Sequence, residues 1–326
     1  MSIKTNLHGR LRNTSLPKSH GLMPLFEAVV NSIHSIEEAG LSSAEGNITV
    51  EILRDQQSQF DFDNNKKEHD ISASQEIIGF RIIDNGIGFN DENMKSFETL
   101  DSEHKLEKGC RGVGRLLWLK AFKRVDIESF YSDDENVFNS REFFFNASEG
   151  VSDPVTKAIP SVVKKLTNVH LNGFVEKYRA VSHKTVITIA NSLFEHCLWY
   201  FVRQGGAPKI VIIDNDQNID LDQVYDDHMH SSSSSETISI KNFNFDLTHV
   251  KLRANTNRSH VIAFCATNRL VKEENIAGKI PGLYGKIKDD NGEFVYACYI
   301  GSSFLDKHVR SERTGFDISE EVDGLF

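Results

Sequence analysis

Three short stretches of this sequence hold residue types that could act together on a phosphorylated ligand. Glu27 and Asn31 stand four residues apart in Pro24-Leu25-Phe26-Glu27-Ala28-Val29-Val30-Asn31. On a helix that spacing puts both on one side, about 6 Å apart along the axis. An Asn oxygen is a hard neutral ligand that suits Mg²⁺ alongside phosphate oxygens and water. A Glu one turn earlier can position a water, or take its proton, beside a terminal phosphate. The second stretch is Asp84-Asn85-Gly86-Ile87-Gly88-Phe89. Its carboxylate can accept from an adenine amine, and Gly88 leaves room for the ring. The third is Lys108-Gly109-Cys110-Arg111-Gly112-Val113-Gly114-Arg115. Backbone amides of a glycine loop that opens a helix attract anions, and glycine allows close backbone approach. Lys108, Arg111 and Arg115 add positive charge there. Each stretch alone is commonplace: a solvated helix face, a routine turn, a glycine loop. Their order and spacing together make coincidence a poor explanation.

Apolar spacing predicts the elements that carry these groups. Leu25, Val29, Ile33 and Ile36 share one helical face, with Pro24 in the first turn and Gly40 at the stop. Ile48, Val50 and Ile52 alternate as in a strand, and residues 77–83 form a second strand that runs straight into Asp84. Between them, residues 54–76 read as a polar insertion. Leu116 to Phe122 reads as an apolar helix behind the glycine loop. Further strands are expected at 124–131, 141–146, 167–171 and 209–213, with a helix at 189–201. Residues 215–235 are polar and acidic, end in five serines (Ser231 to Ser235), and read as a linker or long loop. Strand-like runs follow at 237–246, 259–266 and 293–301, and then a basic polar segment at 304–316. There is no internal repeat.

In order and spacing the three motifs resemble the GHKL ATPases, the Bergerat-fold family of gyrase, the ninety-kilodalton heat-shock chaperone, histidine kinases, MutL and the MORC proteins. The resemblance rests on Glu27-Ala28-Val29-Val30-Asn31-Ser32, on Asp84 to Phe89 and on Gly109 to Arg115. It spans about residues 21–175, and the family domain would run to 214. It implies an α/β (α+β) fold: a two-layer sandwich with a mixed sheet, helices on one face, and ATP held under a lid of roughly residues 90–112. Carried over by the motifs, the ATP-binding residues would be Asn31, Asp84, Gly86, Gly88, Lys108, Gly109, Arg111, Gly112, Val113, Gly114 and Arg115. Asn31 would hold Mg²⁺ and Glu27 would be catalytic. The family also places a Thr on a late strand near adenine; Thr167 fits best, Thr185 and Thr188 less well. Hydrolases of the group carry the Glu four residues before the Asn, so Glu27 favours hydrolysis over phosphorelay. Many members have an Asp three residues after that Asn, where this chain has His34.

The resemblance extends to a domain plan: an ATP-binding domain at 1–214, the polar linker or loop at 215–235, and a transducer-like α/β domain at 236–326. Transducers send a cation to the γ-phosphate, and Lys307, Arg310 and Arg313 are the candidates. The implied function is slow, Mg²⁺-dependent ATP hydrolysis that drives a conformational or dimerisation switch, as in DNA repair or phage defence. An ATP-dependent homodimer and a partner effector protein are the implied partners. The alternative is an ATP-binding sensor or scaffold without significant hydrolysis that regulates the effector. A protein kinase is the remaining reading.

Composition sets limits. At ~100–200 residues per domain, 326 residues suggest two domains. With 47 acidic and 37 basic residues the net charge is −10, a field that repels nucleic acid. Contact with DNA or RNA therefore needs a local basic patch or a partner. The cluster Lys108, Arg111, Arg115, Lys120, Lys123 and Arg124 divides into a front half for phosphate and a rear half of surface. Cys110, Cys197, Cys265 and Cys298 are scattered, as expected of reduced thiols in a cytoplasmic protein. His228 and His230, beside the serines, read as a polar loop rather than a metal site. No run of ~18 apolar residues suggests a membrane span.

Overall fold

The alternating segments pair into a mixed sheet. The computed structural model describes residues 6–55, 75–99, 114–133, 137–160, 164–203, 205–229, 233–252, 259–266, 269–290, 292–309 and 315–318. These fall into two compact units: the described residues of 6–99, 114–197 and 205–224, and those of 198–203 and 225–318. Each has a sheet and helices, and the fold is α+β, as the sequence predicts. No helix among the described residues is long and apolar enough to cross a membrane.

The first unit is built on strands β1 (Asn47–Arg54), β2 (Ile77–Asp84), β3 (Phe122–Ser132), β4 (Phe138–Asn146), β5 (Gly150–Val151), β6 (Val155–Ala158), β7 (Leu166–Phe174), β8 (Lys209–Asp214) and β9 (Gln217–Asp220). Their order is β5-β4-β3-β7-β2-β1-β8-β9, with β6 also on β4. Only the β1–β8 pairing is parallel. Inward side chains recur every second residue and line up across the strands. One row is Val50, Ile82, Val169, Ile127 and Phe143; the next is Ile52, Phe80, Leu171, Val125 and Phe145. All ten are buried.

Among the described residues up to 202, the helices that belong wholly or in part to this unit are α1 (Leu7–Asn13), α2 (Met23–Glu38), α3 (Asp91–Glu98), α4 (Gly114–Ala121), α5 (Glu176–Arg179) and α6 (Val186–Val202). Helix α2 forms where the apolar spacing predicts it. Pro24 is in its first turn, and Gly40, just past its end, has φ +69°. Leu25, Val29, Ile33 and Ile36 are at most 2% exposed. Burying each such side chain stabilises the unit by roughly 1.5–3 kcal/mol. Helices α2 and α4 pack on each other; α2 lies on β1 and β2, and α4 on β3. At the far end of β1, Arg54 donates to both carboxylate oxygens of Asp214 at 2.7 Å and to the carbonyls of Gln75 and Lys184. Both side chains of that ion pair are buried.

Two expectations change. The stretch 215–235, expected to be a linker or loop, is ordered over much of its length. Asn215 turns with φ 51° into β9, and helix α7 (Leu221–Met229) follows at once. Its anchors Leu221 and Val224 are buried, but two apolar residues among acids were too sparse a pattern to read. The run at 237–246, expected as one strand, is a hairpin. Strands β10 (Ser233–Ile240) and β11 (Phe243–Leu252) turn about Lys241, with φ 54°.

In the second unit, β10 and β11 join β12 (Val261–Ala266), β13 (Arg269–Asn275), β14 (Ile287–Asp289) and β15 (Gly292–Gly301). The order is β10-β11-β15-β12-β13, with β14 paired to β15. Val250, Ala297, Tyr299 and Ala263 are buried. Helix α8 (Ser303–His308) packs on β11 and β12, capped by Ser302 Oγ accepting from the Leu305 amide at 3.1 Å.

Candidate functional site

One row of the first sheet breaks its apolar pattern. Two residues along from Val50 and Ile82, the register aligns Ile48, Asp84, Thr167, Ser129 and Arg141 on β1, β2, β7, β3 and β4. Four adjacent inward positions are thus polar, and all four are buried. The row lies where β2 ends and the chain leaves the sheet through Asn85 to Phe89.

Asp84 is the centre of this row. Ser32 Oγ on α2 donates to its Oδ2 at 2.8 Å, and the Gly86 amide donates to Oδ1 at 2.9 Å. The Ser35 hydroxyl also supports the charged form. Burial outweighs these donors and raises the carboxyl from an ordinary 3.8 to about 6. At neutral pH the group is a buried carboxylate, and its oxygens keep lone pairs for further donors.

The glycines let this turn close. A Cβ on Gly86 would stand 2.2 Å from Ser35 Oγ, and the Ile87 amide donates to the Ser35 carbonyl at 3.0 Å. Gly88 has φ +81°, and a Cβ there would stand 2.7 Å from Ser129 Oγ. The turn is therefore held between α2 and β3 at distances that only glycine allows. Ser129 Oγ accepts from the Phe89 amide at 2.9 Å and lies 3.0 Å from Thr167 Oγ1. Arg141 donates to the Phe89 carbonyl at 2.8 Å and to Asp91 Oδ1 at 2.5 Å, with its guanidinium over Tyr131. Asn93 on α3 donates to the Gly88 carbonyl at 2.9 Å, while its own Oδ1 is buried with no hydrogen-bond partner among the described residues.

Helix α2 joins this row to the other predicted groups. Ser32 and Ser35 face Asp84 and its turn, and Asn31, beside Ser32, is partly exposed. Glu27 is one turn earlier; its Oε2 lies 2.9 Å from where a Cβ on Gly114 would be. The Glu27 carboxylate therefore sits at the first residue of α4, where a helix N-terminus favours negative charge. Cys197 on α6 is fully buried, and its thiol is pushed up by burial and then by the Glu27 charge, which makes it unreactive.

The structure thus brings together Glu27, Asn31, Asp84, Gly86, Gly88, Gly114 and Thr167. Arg115 is engaged by α3. It donates to the carbonyls of Ser96 at 3.0 Å and Thr99 at 2.6 Å, and lies over Phe97. It secures the C-terminal end of α3, where a cation suits the helix dipole. Thr185 and Thr188 bond each other at the start of α6, away from the row. Lys108, Gly109, Cys110, Arg111, Gly112 and Val113 lie outside the described residues, as do Arg310 and Arg313. Lys307 is exposed on α8. His34 is buried. The side chains of His228 and His230 are outside the described ones. Among the described residues no three His, Cys, Asp or Glu side chains are placed to hold a metal.

Sequence reasoning missed Ser32, Ser35, Asn93, Ser129 and Arg141 as site residues. Ser129 and Arg141 carry a legible signal only in hindsight of the register, as polar residues at inward positions of β3 and β4.

Chemically, the row offers a buried carboxylate with spare lone pairs and a hydroxyl pair, and α3 adds the orphan amide oxygen of Asn93. That set of acceptors suits a ligand edge that presents an amine, as adenine does. The Asn31 oxygen, one position from Ser32, suits a hard cation such as Mg²⁺. In comparison with known proteins, the chain matches no family model and no curated protein.

Proposed function

We propose that this chain is a Mg²⁺-dependent ATP-binding protein of GHKL type that hydrolyses ATP slowly to drive a conformational or dimerisation switch. The observation that carries the reading is buried Asp84, bonded to α2, the helix that also bears Glu27 and Asn31. Keeping a carboxylate buried and ionised is costly, and burial outweighs the donors Asp84 already has. An adenine amine would be a further donor. Thr167, next in the row, would complete the edge that reads the base.

When bound, Mg²⁺ supplies positive charge to the phosphates, and Asn31 is the residue that would hold it. Glu27 would accept a proton from water as the water oxygen bonds to the γ-phosphorus and the bond to the bridging oxygen breaks. ADP carries away that oxygen's electron pair, and phosphate is released. Lys307, Arg310 or Arg313 would supply a cation to the terminal phosphate. An ATP-dependent homodimer, a cytoplasmic setting and a partner effector, as in DNA repair or phage defence, complete the proposal.

One observation favours the second reading, an ATP-binding sensor or scaffold with little hydrolysis. Arg115 is engaged by α3 carbonyls, so one cation expected at the phosphates is directed elsewhere. Calorimetric titration with ATP and Mg²⁺, paired with steady-state phosphate release, separates the two. Glu27→Ala is expected to keep ATP affinity and lower turnover ~10²–10⁴-fold. Binding with no release from either protein selects the sensor. Absence of ATP binding by the wild-type chain overturns both.

A further inference from the structure

The second unit carries a loop that combines exposed lysines with an exposed tyrosine. Between β13 and β14, residues 276–286 run Ile276-Ala277-Gly278-Lys279-Ile280-Pro281-Gly282-Leu283-Tyr284-Gly285-Lys286, and β14 continues Ile287-Lys288. From Ile276 to Lys288 there are three lysines and no acidic residue, in a chain of net charge −10. Lys279, Lys286 and Lys288 are all exposed. Tyr284 is 68% exposed and Ile280 41% exposed. Two acids at the loop's borders have lysine partners outside it: Glu274 pairs with Lys272 and Asp289 with Lys251, each at 2.8 Å, while Glu293 lies across the β14–β15 ladder from Lys288.

The loop has a defined form. Internal hydrogen bonds join the Gly278 amide to the Leu283 carbonyl at 2.8 Å and the Leu283 amide to the Ile280 carbonyl at 3.1 Å. Its base is pinned by buried His260. The His260 carbonyl accepts from the Ile276 amide at 2.9 Å, and its Nδ1 accepts from the Tyr296 amide at 2.8 Å. That leaves Nε2–H to donate to the Gly285 carbonyl, next to Tyr284. A tyrosine ring is thus displayed to solvent beside lysines on a braced support.

We propose that this loop is a contact site for single-stranded nucleic acid, with Tyr284 stacking on an unpaired base and Lys279, Lys286 and Lys288 on the flanking phosphates. Cationic side chains beside an exposed aromatic ring are the elements such binding uses, and every base offers a face for stacking. Charge complementarity supports this choice, because a polyanion is repelled by the chain as a whole and needs a local cluster of cations. One tyrosine and one isoleucine are too little apolar surface to anchor the loop in a bilayer. The proposal is independent of the ATP reading, and its test needs no nucleotide.

The test is fluorescence anisotropy of a labelled oligothymidylate titrated with the full chain at low salt. Binding is expected, with a slope of log affinity on log salt of about −2, from three phosphate contacts at ~0.7 each. Tyr284→Ala should weaken binding roughly five- to 150-fold, and Tyr284→Trp should retain it. Lys279→Glu combined with Lys286→Glu should abolish it. No binding at low salt overturns the proposal, as does binding that these substitutions leave unchanged. Equal affinity for a duplex of the same length overturns the stacking role. Tyr284-dependent binding to phosphatidylserine vesicles without oligothymidylate binding would assign the loop to a membrane surface instead.

Discussion

Asp84→Asn should make the ligand-free protein more stable and, at the same time, a poorer nucleotide binder. Burial raises the Asp84 carboxyl from 3.8 to about 6. At ~1.4 kcal/mol per pH unit, this difference corresponds to about 3 kcal/mol of destabilisation once the group is fully ionised. The sign follows from proton binding. Between pH 3.8 and about 6 the folded protein holds the proton and the unfolded chain does not. The Asp84 contribution therefore favours folding at the acid end, is lost as pH rises through that window, and is level above it. Asparagine fits the same place: its oxygen can accept from the Gly86 amide and its NH₂ can face Ser32 Oγ. The neutral bonds are weaker than those to a carboxylate, by about 1 kcal/mol. The variant should then exceed the wild type by ~1–3 kcal/mol at pH 7.5, and the difference should close towards pH 4.5. Urea unfolding of both proteins across that range, at unchanged m-value, reads it directly. ATP affinity should fall roughly ten- to a hundred-fold with loss of the charged acceptor. A variant less stable at pH 7.5, or a difference independent of pH, would refute the view that this charge is held at a cost. Unchanged ATP affinity would remove Asp84 from the base-binding role.

Three further outcomes are expected. Gly88→Ala places a methyl group at φ +81° and 2.7 Å from Ser129 Oγ, and should lower stability by ~1–3 kcal/mol, seen as a shifted thermal midpoint. Arg54→Ala leaves Asp214 buried without its guanidinium and should cost about 3–5 kcal/mol in chemical unfolding, whereas an unchanged midpoint would mean the pair is dispensable. Of Lys307→Ala, Arg310→Ala and Arg313→Ala, one should lower phosphate release ~10³-fold or more at unchanged ATP affinity. If none does, the cation at the γ-phosphate comes from elsewhere or hydrolysis is not the function.

The helix α2 and the strand into Asp84 were legible because their periodicity is strong and their ends carry Pro24, Gly40 and the glycine turn. The glycines were legible as requirements for space, although their actual neighbours, Ser35 and Ser129, were not. That part depends on register, which sets β3 beside β7 across more than thirty residues of sequence, and no local pattern encodes it. Arg115 was legible as a cation beside the glycines, whereas its bonds to the carbonyls at the end of α3 depend on how α3 and α4 pack and were not. Helix α7 was hidden because an acidic surface outnumbers its two buried anchors.

The Arg54–Asp214 pair and the parallel β1–β8 ladder join segments 160 residues apart. Ribosomes deliver that length in about 8–32 s at ~5–20 residues per second. For most of that interval, once Gly88 has been made, the nascent chain has β1, β2 and every glycine of the Asp84 turn, yet one edge of β1 has no neighbour and Arg54 lacks Asp214. Completion of the first unit during synthesis therefore waits on the emergence of residues 209–214. Until then the exposed strand edge is a natural client for a holding chaperone, and stalled or truncated products that end before Asp214 should aggregate while longer ones do not.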